Sequence, residues 1–354
     1  MSPLVFTGLA VGLVFGFALQ RGRFCMNSAF RDVILLKDYT LLKAVGVALL
    51  VEMVGFEILA LTGVITLNPK PLFWAANIVG GFVFGIGMVL AGGCASGITY
   101  RFGEGMVGAM AAVAGFVLAG LMTAMGVLKP LKDILQTSSK VMTADGKSLT
   151  LANVFGVPHY IMAFGIAAIA IVIWVVLELK HRGTDEFEMP HASVWTRIFK
   201  RGWGWLATGI VIGQHGIVAF PLSAATGRNY PLGITGGWIG TGKALIIPAT
   251  PLSWEALEVI GIVLGAAIAA IIATEFAIRA PAPKVLLQAF AGGFLMAFGA
   301  VCSSGCNIGH ILSGVPQLSL GSILGGTFIV LGAWFAAYLM FVRPQQVSAQ
   351  ATDI

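Results

Sequence analysis

The chain is divided into long apolar blocks, and this division limits its possible folds more than any other feature. Each block has roughly the 17 to 25 residues that an α-helix needs to cross a bilayer. Helices satisfy their own backbone groups in lipid, so the blocks predict an all-α membrane protein. Nine candidate spans are marked in this way: residues 4–19, 41–66, 72–93, 105–127, 160–179, 203–220, 252–278, 285–301 and 320–342.

The composition excludes the soluble classes of protein. Only 10% of the 354 residues are charged, against about 25% in a soluble globular domain. The net charge of +6 comes from basic residues scattered between the apolar blocks, a pattern that does not indicate nucleic-acid binding. The first apolar stretch has no basic segment before it and no small-residue cleavage site directly after it, so we expect a retained first span.

The basic residues predict the orientation in the membrane. The loop between the fifth and sixth spans is cytoplasmic by the positive-inside rule, because it holds Lys180, Arg182, Arg197, Lys200 and Arg201. Alternation of the spans then places 14 of the 21 basic residues on the cytoplasmic side. We therefore expect an N-terminus outside the cytoplasm and a cytoplasmic C-terminus.

Two stretches of the chain match each other at an offset of 212 residues. The matched pairs are Gly80-Gly81-Phe82 with Gly292-Gly293-Phe294, Gly87 with Gly299, Gly93-Cys94 with Gly305-Cys306, and Gly97 with Gly309. Five predicted crossings separate the ends of the two stretches, so the repeats are predicted to be inverted. Inverted repeats place a substrate path at their interface; the alternative is a duplication that serves close helix packing only.

This repeat predicts the organisation of the chain into four parts. Residues 1–128 form the first repeat with spans one to four, and residues 129–202 form a connecting loop, the fifth span and the basic loop. Residues 203–342 form the second repeat with spans six to nine, and residues 343–354 are a cytoplasmic tail.

Two cysteines lie where the helices are predicted to break. Cys94 follows Gly93 and precedes Gly97, and Cys306 stands in the same way between Gly305 and Gly309. A broken helix inside a membrane must be buried in protein or line a polar cavity. Amides freed at such breaks favour an anion, so we expect short re-entrant half-helices that present these cysteines to an anionic substrate.

The segment RGRFCMNSAFRD and the motifs GGCASG and SGCNIGH resemble the YeeE/YedE family of sulfur-transport permeases. The resemblance covers nearly the whole chain, including its two-repeat layout. It implies an hourglass-shaped permease for thiosulfate, in which the ion is passed between the thiols of Cys25, Cys94 and Cys306. Cys302 falls outside this trio and is predicted to be a small buried hydrophobic residue.

The chemistry of thiols supports such a relay independently. A thiol is a weak donor and a soft acceptor, and thiosulfate carries a soft terminal sulfur that sulfate lacks. The thiols should stay protonated, because a thiolate would repel the dianion. The expected partners are thiosulfate, membrane lipid and a small TusA-like cytoplasmic sulfur-carrier protein, with no cofactor, no metal and no nucleic acid.

Several other polar residues have open roles. Glu52 and Glu57 in the second span could couple transport to protons or could simply pack as neutral acids, whereas Glu275 lies near the end of the seventh span. The segment 221–251 is predicted to be a re-entrant loop in which Arg228 or Lys243 attracts the anion, or an ordinary solvated loop. His310 and His215 are expected to be satisfied polar residues.

Three alternatives to thiosulfate transport stay open from the sequence. A membrane sulfurtransferase that forms a persulfide would need an activated thiolate beside a base, and only His310 is close to a cysteine in sequence. A metal site at Cys302 and Cys306 would need further ligands. A permease of the same design could also carry another sulfur or selenium species.

Overall fold

The structure, a computed structural model, describes residues 3–181 and 193–344. Arg182 of the predicted basic loop and residues 345–354 of the predicted tail lie outside the described residues. Within the described ranges, nine helical segments are long and apolar enough to cross a membrane, and they coincide with the nine predicted blocks. The prediction of an all-α, multi-pass membrane protein is therefore confirmed.

Fourteen helices are described, several of which join end to end within one span. In chain order they are α1 Thr7–Arg21, α2 Met26–Leu35, α3 Thr40–Leu61, α4 Trp74–Leu90, α5 Ala95–Gly103, α6 Val107–Ala124, α7 Lys129–Ser138, α8 Leu151–Phe155, α9 His159–His181, α10 Trp205–Ala224, α11 Ile234–Ile246, α12 Trp254–Ile272, α13 Pro283–Cys302 and α14 Leu320–Ala337. Four further segments are single helical turns: Pro3–Phe6, Thr196–Lys200, Ile308–Leu312 and Tyr338–Val342. Two short strands, β1 Leu72–Phe73 and β2 Lys140–Val141, pair in antiparallel fashion.

The segment 221–251 contains a helix and is not a solvated loop. Helix α11 occupies its middle and buries Ile234, Gly237, Trp238 and Gly242. It packs against α12 and α6. A short helix, α2, also lies between α1 and α3, in the segment that the predicted repeat matches with 221–251.

Glycine stripes let four of the spanning helices approach closely. Gly8, Gly12 and Gly16 of α1 pack on α12, and a Cβ atom at Gly12 would lie 2.1 Å from the carbonyl oxygen of Glu258. Gly209 and Gly213 of α10 pack on α3 in the same manner. Small residues at this spacing let the backbones of two membrane helices approach closely, and the close contact stabilises the pair through dispersion forces. Larger residues at these positions would force the helix pairs apart.

Helices α4 and α13 run in opposite directions. A Cβ atom at Gly80 would lie 2.6 Å from the carbonyl oxygen of Gly299, and one at Gly87 would lie 2.7 Å from that of Gly292. These are the glycines that the sequence repeat matches, exchanged between the two helices. Such reciprocal packing is what two inverted repeats would give, and the inverted repeats and their boundaries stay predictions.

The predicted connector helix lies at the edge of the bundle. Of the nine spanning segments among the described residues, α9 is the least buried. It packs on α3 and α8. The remaining spans enclose the segments that carry the cysteines.

Candidate functional site

Cys25 and Cys94 lie side by side in the centre of the protein. Their Sγ atoms are 3.7 Å apart, and both side chains are buried. Each cysteine is the residue directly before a short helix, Cys25 before α2 and Cys94 before α5. The positive ends of two helix dipoles therefore meet at this pair of thiols.

The three motif cysteines follow the same local backbone turn. The residue two positions before each cysteine has a positive φ: Arg23 at 49°, Gly92 at 69° and Ser304 at 64°. At each break the next amide bonds back five residues, from Phe24 to Leu19, from Gly93 to Met88 and from Gly305 to Ala300. This is the way in which α-helices commonly end, so all three breaks are true helix ends, as the glycines of the second and third had predicted.

Gly97 fits against both thiols. Its amide donates a hydrogen bond of 3.4 Å to Cys94 Sγ. A Cβ atom at this position would lie 2.7 Å from Cys25 Sγ and 3.3 Å from Cys94 Sγ. A side chain at residue 97 would therefore displace one of the two sulfur atoms.

The third break is attached to the other two by Asn307. This residue follows Cys306, and its Oδ1 accepts a hydrogen bond of 3.3 Å from the amide of Ala95. Its Nδ2 donates to the sulfur of Met26, at 3.4 Å. Because Ala95 and Met26 directly follow Cys94 and Cys25, Asn307 brings the three cysteine-bearing turns together.

A cavity of about 240 Å³, which we name the lysine vestibule, opens beside Cys306. Lys70, Arg228, Tyr230 and Gly309 also line it. The ammonium of Lys70 lies 4.5 Å from the centre of the Tyr230 ring, and the Tyr230 hydroxyl donates a 2.6 Å hydrogen bond to the carbonyl of Gly309. Sequence reasoning missed Lys70 and Tyr230, because both lie in loops far from Cys306 in the chain.

The two basic residues predicted to attract the anion have different surroundings. Arg228 lines the lysine vestibule, but its guanidinium pairs with Glu255 at 2.6 Å. Lys243 lies in the last turn of α11 and is not among the residues that line either cavity described here. Lys70, by contrast, has no carboxylate within ion-pair distance among the described residues. Lys70 and Arg228 are therefore the two basic residues that line the lysine vestibule.

A second cavity, of about 480 Å³, is lined by Arg31, Arg101 and Arg279, and we name it the arginine vestibule. Arg101 donates to the carbonyl of Gly92, two residues before Cys94. Arg31 pairs with the neighbouring Asp32 at 2.8 Å. The cavity thus combines a basic wall with one of the cysteine-bearing turns.

The two vestibules lie toward opposite ends of helix α13. Near its start, α13 contributes Ala289 to the arginine vestibule, and near its end it contributes Val301 to the lysine vestibule. Twelve residues of helix at 1.5 Å each separate these positions by about 18 Å. The packed turns that hold Cys25 and Cys94 are in contact with the turn that holds Cys306.

A cluster of charged side chains links the end of α1, just before Cys25, to Glu104 and Glu275. Arg23 pairs with Glu104 at 2.9 Å and with Glu275 at 2.8 Å, while the buried Arg21 also pairs with Glu275. Gln20 donates to both carboxylates. Burial raises the pKa of Glu275, but the Gln20 hydrogen bond and the charges of Arg23 and Arg21 outweigh this and lower it. Sequence reasoning used these arginines to orient the chain and as part of the motif that resembles the family, but gave them no partners.

The remaining polar residues of the motifs have packing roles. Gly305 and Gly325 make room for the His310 ring, because a Cβ atom at either would lie within 3.0 Å of it. His310 Nδ1 lies 3.3 Å from Ser322 Oγ. A Cβ atom at Gly93 would lie 3.2 Å from the Arg101 guanidinium. His215 stacks on Phe15. The expectation that both histidines are satisfied polar residues is wrong in part, because the Nε2 atoms of His310 and His215 are buried without a hydrogen-bond partner among the described residues.

Cys302 is buried at the last position of α13, with its carbonyl bonded by Gln136. It lines neither vestibule. No group of three or more His, Cys, Asp or Glu residues in the described part of the chain could hold a metal ion.

Comparisons with known proteins identify the family. The chain is 42% identical to the thiosulfate transporter TsuA of Spirochaeta thermophila over 348 residues, which cover 96% of this chain and 100% of the relative. It is 32% identical to the thiosulfate transporter TsuA of Escherichia coli over 356 residues, with 99% of each chain covered. A probable transporter of Escherichia coli, YedE, is 38% identical over 107 residues, 30% of this chain and 26% of its own. The profile of the sulphur transport family matches residues 21–335, and the chain therefore belongs to this family, the YeeE/YedE family that its cysteine motifs resemble.

Proposed function

We propose that the protein takes up thiosulfate across the bacterial inner membrane by passing the ion between the protonated thiols of Cys306, Cys94 and Cys25. The observation that carries this proposal is the contact of Cys25 and Cys94 at the starts of α2 and α5. Basic vestibules lie toward the two ends of the neighbouring helix α13. The family and its named relatives are transporters, so the protein is not an enzyme.

The first step of the proposed path is capture in the lysine vestibule. The unpaired ammonium of Lys70 supplies the charge that Arg228 shares with Glu255. Cys306 lies in the wall of the same cavity. The oxygens of thiosulfate would face Lys70 while its terminal sulfur accepts from the Cys306 thiol, since hard oxygen suits the ammonium and soft sulfur suits the thiol.

The second step is passage between the paired thiols. Two sulfur atoms 3.7 Å apart are close enough to contact one terminal sulfur of the ion together. Both thiols are buried and line neither vestibule, so the packed turns have to move apart to admit the ion. The starts of α2 and α5 supply partial positive charge at this point. S–H donors bind weakly enough to let the ion leave again, which conduction requires.

The third step is release through the arginine vestibule. Its three arginines carry only one paired carboxylate, that of Asp32, among the contacts described. The orientation that we propose places this vestibule in the cytoplasm and the lysine vestibule in the periplasm, as the positive-inside rule predicts. A small TusA-like sulfur carrier could then receive the ion at the arginine vestibule.

Uptake of thiosulfate against the membrane potential requires a source of free energy. Moving one elementary charge against the membrane potential costs ~2.3 kcal/mol per 100 mV, and thiosulfate carries two. The sulfur relay removes the barrier of desolvating the ion in lipid but does not supply this work. A gradient of the ion itself or of a coupled cation has to do so.

The test is uptake of labelled thiosulfate into liposomes that contain the purified protein. We expect saturable uptake that unlabelled thiosulfate abolishes and sulfate leaves unchanged, because sulfate has no soft sulfur for the thiols. Sulfite and selenite added as competitors test the second candidate, a permease for another sulfur or selenium species. Absence of thiosulfate uptake, with uptake of one of these instead, would replace the first proposal by the second.

A further inference from the structure

Among the described residues, every buried acid except one has a partner. Glu57 lies 2.7 Å from His159, Glu258 accepts from the amide of Gly233, and Glu104 pairs with Arg23. The half-buried Glu255 and Glu275 also pair with arginines. Glu52 differs, because both of its carboxylate oxygens are buried without a hydrogen-bond partner among the described residues. Its side chain has no exposed surface.

Glu52 lies in the middle of α3, twelve residues from its start and nine from its end. A charged carboxylate without a partner at such a depth is costly, so the side chain must bind a proton there or gain a partner during the transport cycle. The opposite helix provides the room for it. A Cβ atom at Gly216 of α10 would lie 2.0 Å from Glu52 Oε1, so a larger residue there would push the carboxyl group out of this position.

Helix α3, which carries Glu52, packs against the turn Ile308–Leu312, and Gly309 of this turn lines the lysine vestibule. Burial raises the pKa of Tyr230, Arg228 opposes this effect, and the ionised forms of Cys306 and Glu52 reinforce it. Tyr230 therefore stands within electrostatic reach of both the candidate relay thiol and the Glu52 carboxyl. A charge on Glu52 would be felt in the cavity where the anion is proposed to bind.

None of the other described titratable groups around α3 pairs with Glu52, although the Nε2 atoms of His215 and His310 are also buried without a partner. The elements that pack against α3 are α10, α9, α2 and the turn Ile308–Leu312. Their described titratable side chains are His215 on α10, His159 and Tyr160 on α9, Arg31 and Asp32 on α2, and His310 in the turn. His215 stacks on Phe15, His159 holds Glu57, Arg31 holds Asp32 and His310 faces Ser322, whereas Tyr160 is exposed. Nothing in these contacts neutralises Glu52.

We propose that Glu52 is a proton-binding site that couples proton entry to thiosulfate uptake. The proton binds to the carboxylate from the lysine vestibule, Glu52 is neutral while the dianion passes the cysteines, and the proton leaves toward the arginine vestibule afterwards. The neutral form removes a negative charge that would repel the ion at Cys306, and the carried proton cancels one of the two charges that cross. This proposal rests on the proposed transport of thiosulfate.

The experiment measures proton and thiosulfate movement in the same liposomes. The full-length protein is reconstituted with a pH-sensitive dye inside and with the membrane potential clamped by valinomycin and potassium. Addition of thiosulfate outside should acidify the interior of vesicles that contain the wild-type protein. Glu52→Gln should lower both this acidification and the uptake driven by an inward proton gradient at least about tenfold.

Exchange of labelled for unlabelled thiosulfate at equal concentrations and equal pH needs no net proton movement. It should persist in Glu52→Gln, which shows that the variant is folded and that the cysteine path is intact. The matched control is Glu57→Gln, one to two turns along the same helix, which should retain proton-coupled uptake. If Glu52→Gln does not fold, acidification by the wild-type protein and its response to an imposed proton gradient still decide whether protons are coupled.

Two results would overturn the inference. The first is wild-type thiosulfate uptake with no proton movement, which leaves the proposed function in place and removes the coupling. The second is gradient-driven accumulation by Glu52→Gln at the wild-type level, which removes Glu52 as the site. A wild-type protein that moves no thiosulfate at all contradicts the proposed function itself, so the two failures are distinct.

Discussion

The Sγ atoms of Cys25 and Cys94 lie 3.7 Å apart although 69 residues separate them in the chain. Two breaks in different spans are required for this contact, one between α1 and α2 and the other between α4 and α5. Neither thiol is bonded in a disulfide, and both are enclosed by protein. The contact places two weak S–H donors where one soft anion can meet both.

Serine at the motif cysteines should abolish transport. Cys25→Ser, Cys94→Ser and Cys306→Ser keep the size of the side chain but exchange the soft sulfur for hard oxygen, so we expect uptake to fall by about 100-fold. Cys302→Ser is the control, because Cys302 is the last residue of α13 and its sulfur has no contact with Cys25 or Cys94 among the described residues. Uptake of labelled thiosulfate in cells or vesicles measures the effect, and normal uptake by all three motif variants would contradict the relay.

Mild oxidation should inhibit the protein reversibly. Diamide, a two-electron oxidant, should take the hydrogens of the Cys25 and Cys94 thiols and join the sulfurs, because a small shift brings 3.7 Å to bonding distance. Uptake should stop and recover on addition of dithiothreitol. Mass spectrometry of the oxidised protein should find the peptide of Cys25 linked to that of Cys94, and a link to Cys302 instead would refute the geometry.

Alanine at Gly97 should impair transport more than folding. Its Cβ atom would lie 2.7 Å from Cys25 Sγ, so the thiol has to rotate away from Cys94. We expect at least about a tenfold loss of uptake, with the melting temperature in detergent changed by only a few degrees. Gly165→Ala in α9 is the matched control, because nothing lies within 4 Å of the added atom.

Uptake should decline in alkaline solution because of Lys70. Burial, with help from the charge of Arg228, lowers the pKa of this half-buried lysine to about 8, although Cys306 and Glu255 oppose the shift. The ammonium that attracts the anion is present below this value and is lost as the pH rises through it. The KM for thiosulfate should therefore increase above pH 8 in the wild-type protein.

Lys70→Gln should have a high KM at every pH and no longer show this rise. Lys243→Gln serves as the comparison, since Lys243 lines neither vestibule, and its pH profile should match that of the wild type. An unchanged KM in Lys70→Gln would remove Lys70 from the capture step.

The charge cluster before Cys25 should make stability depend on Glu275 in acid. Its pKa is lowered in the folded protein, as Gln20, Arg23 and Arg21 outweigh burial. A depressed carboxyl pKa contributes stability that is present above the ordinary value of 4.5 and is lost as the pH falls through the folded value. Glu275→Gln should lower the melting temperature at pH 7, and the difference from the wild type should shrink toward pH 3.

Asp145→Asn is the control for Glu275, because Asp145 lies exposed in a loop. Its melting curves should follow the wild type at both pH values. An equal loss of stability for Glu275→Gln at pH 7 and pH 3 would show that the ionised carboxylate is not the stabilising form.

The hydrophobic pattern of the sequence determined the spanning helices. Apolar blocks of bilayer length predict a helix wherever they occur, since no other backbone conformation satisfies its own hydrogen bonds in lipid. The breaks at Cys94 and Cys306 were also predictable, because glycines flank both cysteines at the same spacing. The break at Cys25 depends on Arg23, a non-glycine residue with a φ of 49°. In the sequence, only the family resemblance singled out Cys25.

The tertiary structure decided which polar residues act together. Lys70, Tyr230 and Cys306 lie in three distant parts of the chain, and only packing places them around one cavity. The same holds for the two acids of α3, which look alike in sequence. His159 reaches Glu57 from another helix, whereas the bare surface of Gly216 leaves Glu52 alone. Partners of this kind depend on how helices cross, and the hydrophobic pattern that fixes each helix carries no information about its neighbours.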